Sequence, residues 1–264
     1  MADQATSNTV SSTRLTVLGS GDAFSGCGCN ASYLVDDRIL VDCGAPVQTL
    51  LPRAGASVAS LDLVLLTHFH ADHTFMLPML LGARAFIGEL RPGLCVAGPP
   101  GTREYVQRLL TTGYGRHLMD MIEGRISPRW AVLQDGASVE LAGYTVSASA
   151  VVHSTGPSLS YTVRRGSGPV IGFSGDTTLC PGLRRTIAAA DVMVCECTGW
   201  DEPIEGGHLW RGELEELIAA YPDTRFVLSH LRTRGPVPGA IIAHDLLGLD
   251  VSALTSQPPS QIRG

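Results

Sequence analysis

The sequence predicts an α/β fold, built as a four-layer αββα sandwich in one continuous domain. Three observations carry that expectation. Short β-rich runs alternate with helix-like segments twice along the chain, apolar strand-like runs end in polar residues, and no internal repeat or long linker divides the sequence. With 264 residues, 44% of them apolar and 17% charged, the chain can bury a sizeable core.

The first half opens with "RLTVLGS" (14–20), "ASYLVDD" (31–37) and "RILVDCG" (38–44), β-branched runs bounded by turn residues. "APVQTLLPRAG" (45–55) reads as a short helix. "LDLVLLTH" (61–68) is a continuous apolar run, the pattern of a strand buried on both faces. "HTFMLPMLLGARAF" (73–86) has helical spacing, with Pro78 expected to bend it. A strand at 94–99 and a helix at 100–113, opened by proline and closed by glycine, follow. Residues 114–136 mix glycine, proline and aromatics and are expected as a cap or flap. In the second half, β-runs at 137–154, 158–168 and 169–177 precede a helix at 181–190, a strand at 191–197, a helix at 211–220, a strand at 224–230 and a helix at 238–248. The expected boundaries are a disordered tail at 1–13, the domain at 14–250 and a second tail at 251–264.

Composition excludes several function classes. No apolar run reaches the ~18 residues of a membrane span, and the polar N-terminus lacks the pattern of a secretory signal, so a cytoplasmic protein with no membrane partner is expected. Seven cysteines, at 27, 29, 43, 95, 180, 195 and 197, make no disulfide framework. The net charge of −6 argues against general nucleic-acid affinity. All 19 cationic side chains are arginine, which removes Schiff-base chemistry and a P-loop lysine. The glycine-rich "GSGDAFSGCGCN" (19–30) is therefore no P-loop, and Cys27 and Cys29 stand too close for the usual structural zinc spacing.

The chemistry concentrates in "THFHADHT" (67–74), which places His68, His70, Asp72 and His73 within six positions. Imidazole and carboxylate suit the same borderline divalent cations. Further donors end later strand-like runs or sit beside glycines: His153 in "AVVHST", Asp176 in "FSGDT", His208 in "EGGHLW" and His230 in "FVLSHLRT". Polar residues terminating apolar strands gather at one end of a sheet. His117 and His244 lie in helix-like or loop text and are expected to be without chemistry.

"THFHADH" resembles the HxHxDH motif of the metallo-β-lactamase fold, and the later histidine–aspartate–histidine series resembles its remaining ligands, over residues 14 to about 235. The resemblance implies two divalent metal ions, zinc ahead of manganese or iron. It implies that His68, His70 and His153 hold the first, that Asp72, His73 and His230 hold the second, and that Asp176 bridges them. Two such cations lower the pKa of a shared water to give a hydroxide-like nucleophile.

His208 follows two glycines, 22 residues before His230, and resembles the histidine of the ribonuclease Z branch that helps the leaving oxygen depart. The resemblance then makes Asp72, His208 and Glu196 the candidate catalytic residues, with His208 as general acid and Glu196 orienting it. Two departures from that branch point away from tRNA. His153 and Asp176 are 23 residues apart, room for two strands but not for a long RNA-gripping arm, and the 19–30 loop carries no cation, leaving Asn30 as its polar contact. Arg211, Arg232 and Arg234 are candidates to hold a phosphate. The expected function is that of a phosphodiesterase acting on a small or single-stranded phosphodiester. The alternatives are a lactone, ester or thioester hydrolase, or a non-catalytic or biosynthetic accessory metal-binding protein. The resemblance also implies a homodimer.

Overall fold

The computed structural model describes residues 12–88 and 90–256. Its strands form two seven-stranded mixed sheets. In the first half of the chain lie β1 (Arg14–Gly19), β2 (Ser32–Val35), β3 (Ile39–Val41), β4 (Leu63–Leu65), β5 (Cys95–Gly98) and β6 (Arg129–Val132). The second half supplies β7 (Ser138–Leu141), β8 (Tyr144–Val151), β9 (Ser158–Arg164), β10 (Ile171–Phe173), β11 (Val192–Glu196), β12 (Arg225–Ser229) and β13 (Ala240–Ile242), and then β14 (Leu247–Asp250). One sheet runs β14-β1-β2-β3-β4-β5-β6 and the other β13-β12-β11-β10-β9-β8-β7. In both, three antiparallel pairings give way to three parallel ones.

Period-two side-chain alternation builds the four layers. Ile39, Val41, Leu63 and Leu65 point to the inter-sheet core, where they join Tyr161, Phe173, Val194 and Val227. The intervening Leu40 and Val64 point the other way, into a cluster shared with helices α1 (Val47–Arg53), α3 (Leu77–Phe86) and α4 (Thr102–Ile126). On the second sheet Met193, Cys195, Phe226 and Leu228 pack against α5 (Pro181–Ala189) and α6 (Arg211–Ala220). The inner parallel strands β3, β4, β5, β10, β11 and β12 are thus buried on both faces, which explains their largely apolar text. Each such leucine or phenylalanine contributes about 1.5–3 kcal/mol by leaving water. Cys195 and Cys197 are both buried in this outer cluster. A short helix α2 (Ala71–Thr74) precedes α3, and α7 (Val251–Thr255) follows β14.

Three expectations need correcting. Residues 114–136 form no cap. They continue α4 beyond a kink at Gly115 (φ 76°) and then form the edge strand β6, and none of them lines the site cavity. The kink folds the helix back, so that Gln107 donates to Glu123 across 16 positions at 3.0 Å. The helix expected at 238–248 is instead two short edge strands, β13 and β14, that extend different sheets. Short apolar runs such as "AII" do not distinguish the two periods, and an open sheet edge decides. The tail expected from 251 begins with α7, whose Val251 is fully buried and whose first turn is capped by Asp250 accepting from the Ala253 amide at 3.0 Å. Of the expected N-terminal tail, residues 1–11 lie outside the described residues, while Thr13 is buried and donates its amide to Ser252 Oγ. No helix among the described residues is long and apolar enough to cross a membrane.

Candidate metal centre

The chemistry-bearing side chains leave the sheets at the carboxyl ends of neighbouring strands. β4 delivers His68, and β8, β10, β11 and β12 deliver His153, Asp176, Glu196 and His230. His70 is extended at the N-cap position of α2, whose single turn carries Asp72 and His73. His208 follows Gly206 and Gly207, both at positive φ (103° and 82°), which lets the loop turn sharply beside His153. The β3 exit packs directly on the α2 backbone. A Cβ on Gly44 would lie 1.6 Å from the Asp72 carbonyl oxygen, so only glycine allows that approach.

Two donor groups result, His68–His70–His153–Asp176 and Asp72–His73–Asp176–His230, with the donor atoms in each within 4.8 Å of one another. Asp176 belongs to both. Its carboxylate lies 3.3 Å from His73 Nε2, 3.4 Å from His230 Nε2, 3.8 Å from His68 Nε2 and 3.9 Å from His153 Nε2. His153 Nε2 is 3.0 Å from His70 Nδ1, and His230 Nε2 is 3.1 Å from Asp72 Oδ2.

The outward hydrogen bonds fix which nitrogen faces in. His73 Nδ1 donates to Asp42 (2.7 Å) and His153 Nδ1 to the Gly207 carbonyl (3.1 Å). Thr67 gives its hydroxyl proton to Asp42 (2.8 Å) and so accepts from His68 Nδ1 (3.0 Å). Thr198 gives its own to Glu196 (2.7 Å) and so accepts from His230 Nδ1 (2.8 Å). Four imidazoles therefore turn Nε2 toward Asp176, the nitrogen that ligation would use. His68 Nε2, His73 Nε2 and Asp176 Oδ1 are buried without a hydrogen-bond partner, a costly arrangement that a cation would relieve.

Charge agrees. Asp42, Asp72, Asp176 and Glu196 are all buried, and their partners are imidazoles, hydroxyls and amides. Burial lowers His73, yet the carboxylates of Asp176 and Asp42 outweigh it and hold the imidazole well above its usual value. Burial raises Asp72, and hydrogen bonds from His230 and His73 outweigh that, holding its carboxyl well below the ordinary range. The donor set and its excess of negative charge fit two borderline divalent cations.

Asp42, Thr67 and Thr198 were not singled out in the sequence. The signal for Asp42 was present, since "ILVD" ends an apolar strand as "FSGD" does. Asp42 adopts a left-handed φ of 57°, a strain of about 1–3 kcal/mol that its three hydrogen bonds to Thr67 and His73 hold in place. Asp42→Asn is expected to weaken cation affinity about 10–100-fold by freeing the His73 ring. Competition with a chelator of known affinity measures it, and an unchanged affinity would remove Asp42 from the site.

A third group, Glu196–His208–His230, also has its donor atoms within 4.8 Å of one another. Its members are already engaged. Glu196 accepts from the Thr177 amide (2.7 Å), from Thr198 and from His208 Nδ1 (3.1 Å), so the group is a hydrogen-bonded relay. Burial lowers His208, but the Glu196 hydrogen bond and charge outweigh it and leave its pKa raised.

A cavity of about 420 Å³ opens over Asp72, Asp176, His208 and His230 and includes Asn30, Phe24, Phe75 and Arg232 in its wall. Of the three candidate arginines only Arg232 reaches it, with its Nε on Asp22 at 2.9 Å. Arg234 donates to Ser20 Oγ (2.5 Å), and Arg211 lies over the Trp200 ring (5.4 Å) beside Glu215. His117 and His244 stand outside both donor groups.

Residues 37–231 match the beta-lactamase superfamily domain. Among curated proteins, "Ribonuclease Z" of Methanosarcina mazei is 26% identical over an alignment of 311 positions, covering 90% of this chain and 98% of that protein. Among solved structures, the metallo-beta-lactamase fold protein YhfI from Bacillus subtilis superposes with a TM-score of 0.72 at 19% identity, covering 90% of this chain and 99% of that one. The short form of human tRNase Z does so with a TM-score of 0.71 at 22% identity, again covering 90% and 99%. Two mixed sheets between helical layers are the fold they share with this chain.

Proposed function

Because the chain belongs to the beta-lactamase superfamily, and is a metal-dependent hydrolase of it, we propose that it is a phosphodiesterase acting on a small or single-stranded phosphodiester. His68, His70, His153 and Asp176 would hold one cation, and Asp72, His73, His230 and Asp176 the other, with zinc the first candidate. When bound, such a pair draws a nucleophile from water near neutral pH and polarises the phosphoryl oxygens. The chain's own residues do the rest. The outward Nδ1 donors keep the imidazoles in one tautomer, and Asp42 and Thr198 keep His73 and His230 from turning.

The observation that carries the reading is His208 on the cavity wall, with Nδ1 committed to Glu196 and 3.8 Å from Asp176. Its Nε2 is left to carry a proton to the departing oxygen, and the Glu196 hydrogen bond and charge favour the protonated ring. Leaving alkoxides of diesters need such an acid.

A short span between the donors supports a small substrate. His153 and Asp176 are joined through β9 and β10 alone. The aligned length of 311 exceeds the chain's 264 residues, so the archaeal relative carries insertions absent here. The relatives' name nonetheless denotes an RNA-cleaving enzyme, and the expectation that tRNA is no substrate gains no support from them.

Zinc- or manganese-loaded protein is to be assayed on bis(p-nitrophenyl) phosphate, aryl esters, lactones and a precursor tRNA. Diester turnover with esters and lactones inert is expected. Ester or lactone turnover without diester turnover would replace the reading with the carbon-ester one, cleavage of the tRNA would enlarge the substrate, and inertness throughout would favour an accessory protein. The pH profile adds a further expectation. His208 is raised by Glu196, so Glu196→Gln lowers its pKa, and the alkaline limb of kcat/KM for an alkyl diester, whose leaving group needs the proton, moves to lower pH. A limb that stays in place would separate Glu196 from the acid.

A further inference from the structure

The outer wall of the cavity is apolar and aromatic in a way the metal chemistry does not use. Phe24 is 94% exposed and Phe75 is 58% exposed, and both line the same cavity as the donors, with Met76 beside them. Solvent-facing phenylalanine at the rim of a catalytic cavity costs free energy unless something covers it. Phe24 is too exposed to serve packing, and the loop that bears it is open, since a Cβ on Gly26 would meet nothing within 4 Å. Phe75 closes the turn that carries Asp72 and His73, so its ring is placed by the same backbone as the donors.

The polar groups of this wall are already engaged with one another. Arg232 donates to the Asp22 carboxylate at 2.9 Å, and Asn30 Nδ2 donates to the Asp22 carbonyl at 2.9 Å. Arg232 and Asp22 together carry no net charge. Beyond the donor groups, this wall therefore offers ring surface and no uncompensated cation. A second phosphate has no partner there, while a flat uncharged group does.

We propose that Phe24 and Phe75 form an aromatic wall that selects phosphodiesters bearing one planar, uncharged ring substituent, of nucleobase or aryl size, beside the scissile phosphate. The proposal rests on the phosphodiesterase reading for its reaction but not for its recognition, so the two can fail separately. Ring stacking on an exposed aromatic is worth about a ten-fold preference in such settings.

Two measurements on the zinc-loaded full chain test it. In the first, phenylphosphonate and methylphosphonate are compared by calorimetric titration. The wild type is expected to prefer phenylphosphonate about ten-fold, Phe24→Ala to lose most of that preference, and Phe24→Tyr to keep it. In the second, the ratio of kcat/KM for bis(p-nitrophenyl) phosphate to that for methyl p-nitrophenyl phosphate, which share a leaving group, is expected to fall about ten-fold in Phe24→Ala. Equal binding of the two phosphonates by the wild type overturns the proposal, as does a preference or a ratio that survives Phe24→Ala. Should no diester be turned over while the phosphonate preference is present and Phe24-dependent, the phosphodiesterase reading falls and the aromatic wall stands.

Discussion

Asp176→Ala is expected to lower bound metal from two ions per chain to one or none and to cut turnover by at least ~10³-fold. The expectation follows from its place in both donor groups. Without it, His68, His70 and His153 are three imidazoles with no carboxylate among them, and the other group keeps Asp72 as its one carboxylate. The residue is almost fully buried, so water fills the gap poorly, and Oδ1 has no other hydrogen-bond partner whose loss would confuse the result. Metal content after dialysis, measured by elemental analysis, reads the first effect, and a circular dichroism spectrum checks that the fold persists. A variant that still holds two ions would break the bridging assignment.

His208→Ala is expected to retain both ions and yet lose ~10²–10⁴-fold in diester turnover, the usual contribution of a positioned general acid. The contrast with Asp176 is the informative part. His208 Nδ1 faces Glu196, and the relay continues through Thr198 to His230, so removing the ring takes away a proton carrier and spares both donor groups. The loss should be steep for poor leaving groups and shallow for p-nitrophenolate, which departs without a proton. A dialysed variant that holds fewer ions would make His208 a ligand, and an unchanged rate on alkyl diesters would make it a bystander.

Both variants concern residues that were legible in the sequence, and the reason is physical. A donor that ends an apolar strand breaks the pattern of its neighbours, and His68, His153, Asp176 and His230 all do so. The layered fold was legible for the same reason, since strands buried on both faces write continuous apolar runs. Asp42 has the same signature but stands outside the histidine-rich segment, where nothing in the sequence ties it to the donors. Thr67 and Thr198 left no signature, because a threonine that relays a proton reads like any strand-end threonine. The misplaced cap at 114–136 and the misplaced helix at 238–248 failed where tertiary context decides: a glycine kink that folds α4 back, and sheet edges that recruit "AII" and "LGLD". Phe24 sits in a loop that the sequence marks only by its glycines and its lack of a cation, and its exposure at the cavity wall emerges only in three dimensions.

The mirrored build of the two sheets has a consequence for how the halves stay together. His68, His70, Asp72 and His73 come from the half that ends with β6, and His153, Asp176 and His230 from the half that begins with β7. Neither donor group is complete in one half. A cation held by either group is thus a stitch across the seam between the sheets, and the two halves, expressed as separate polypeptides cut between Leu133 and Ala137, would report their reassembly through metal uptake.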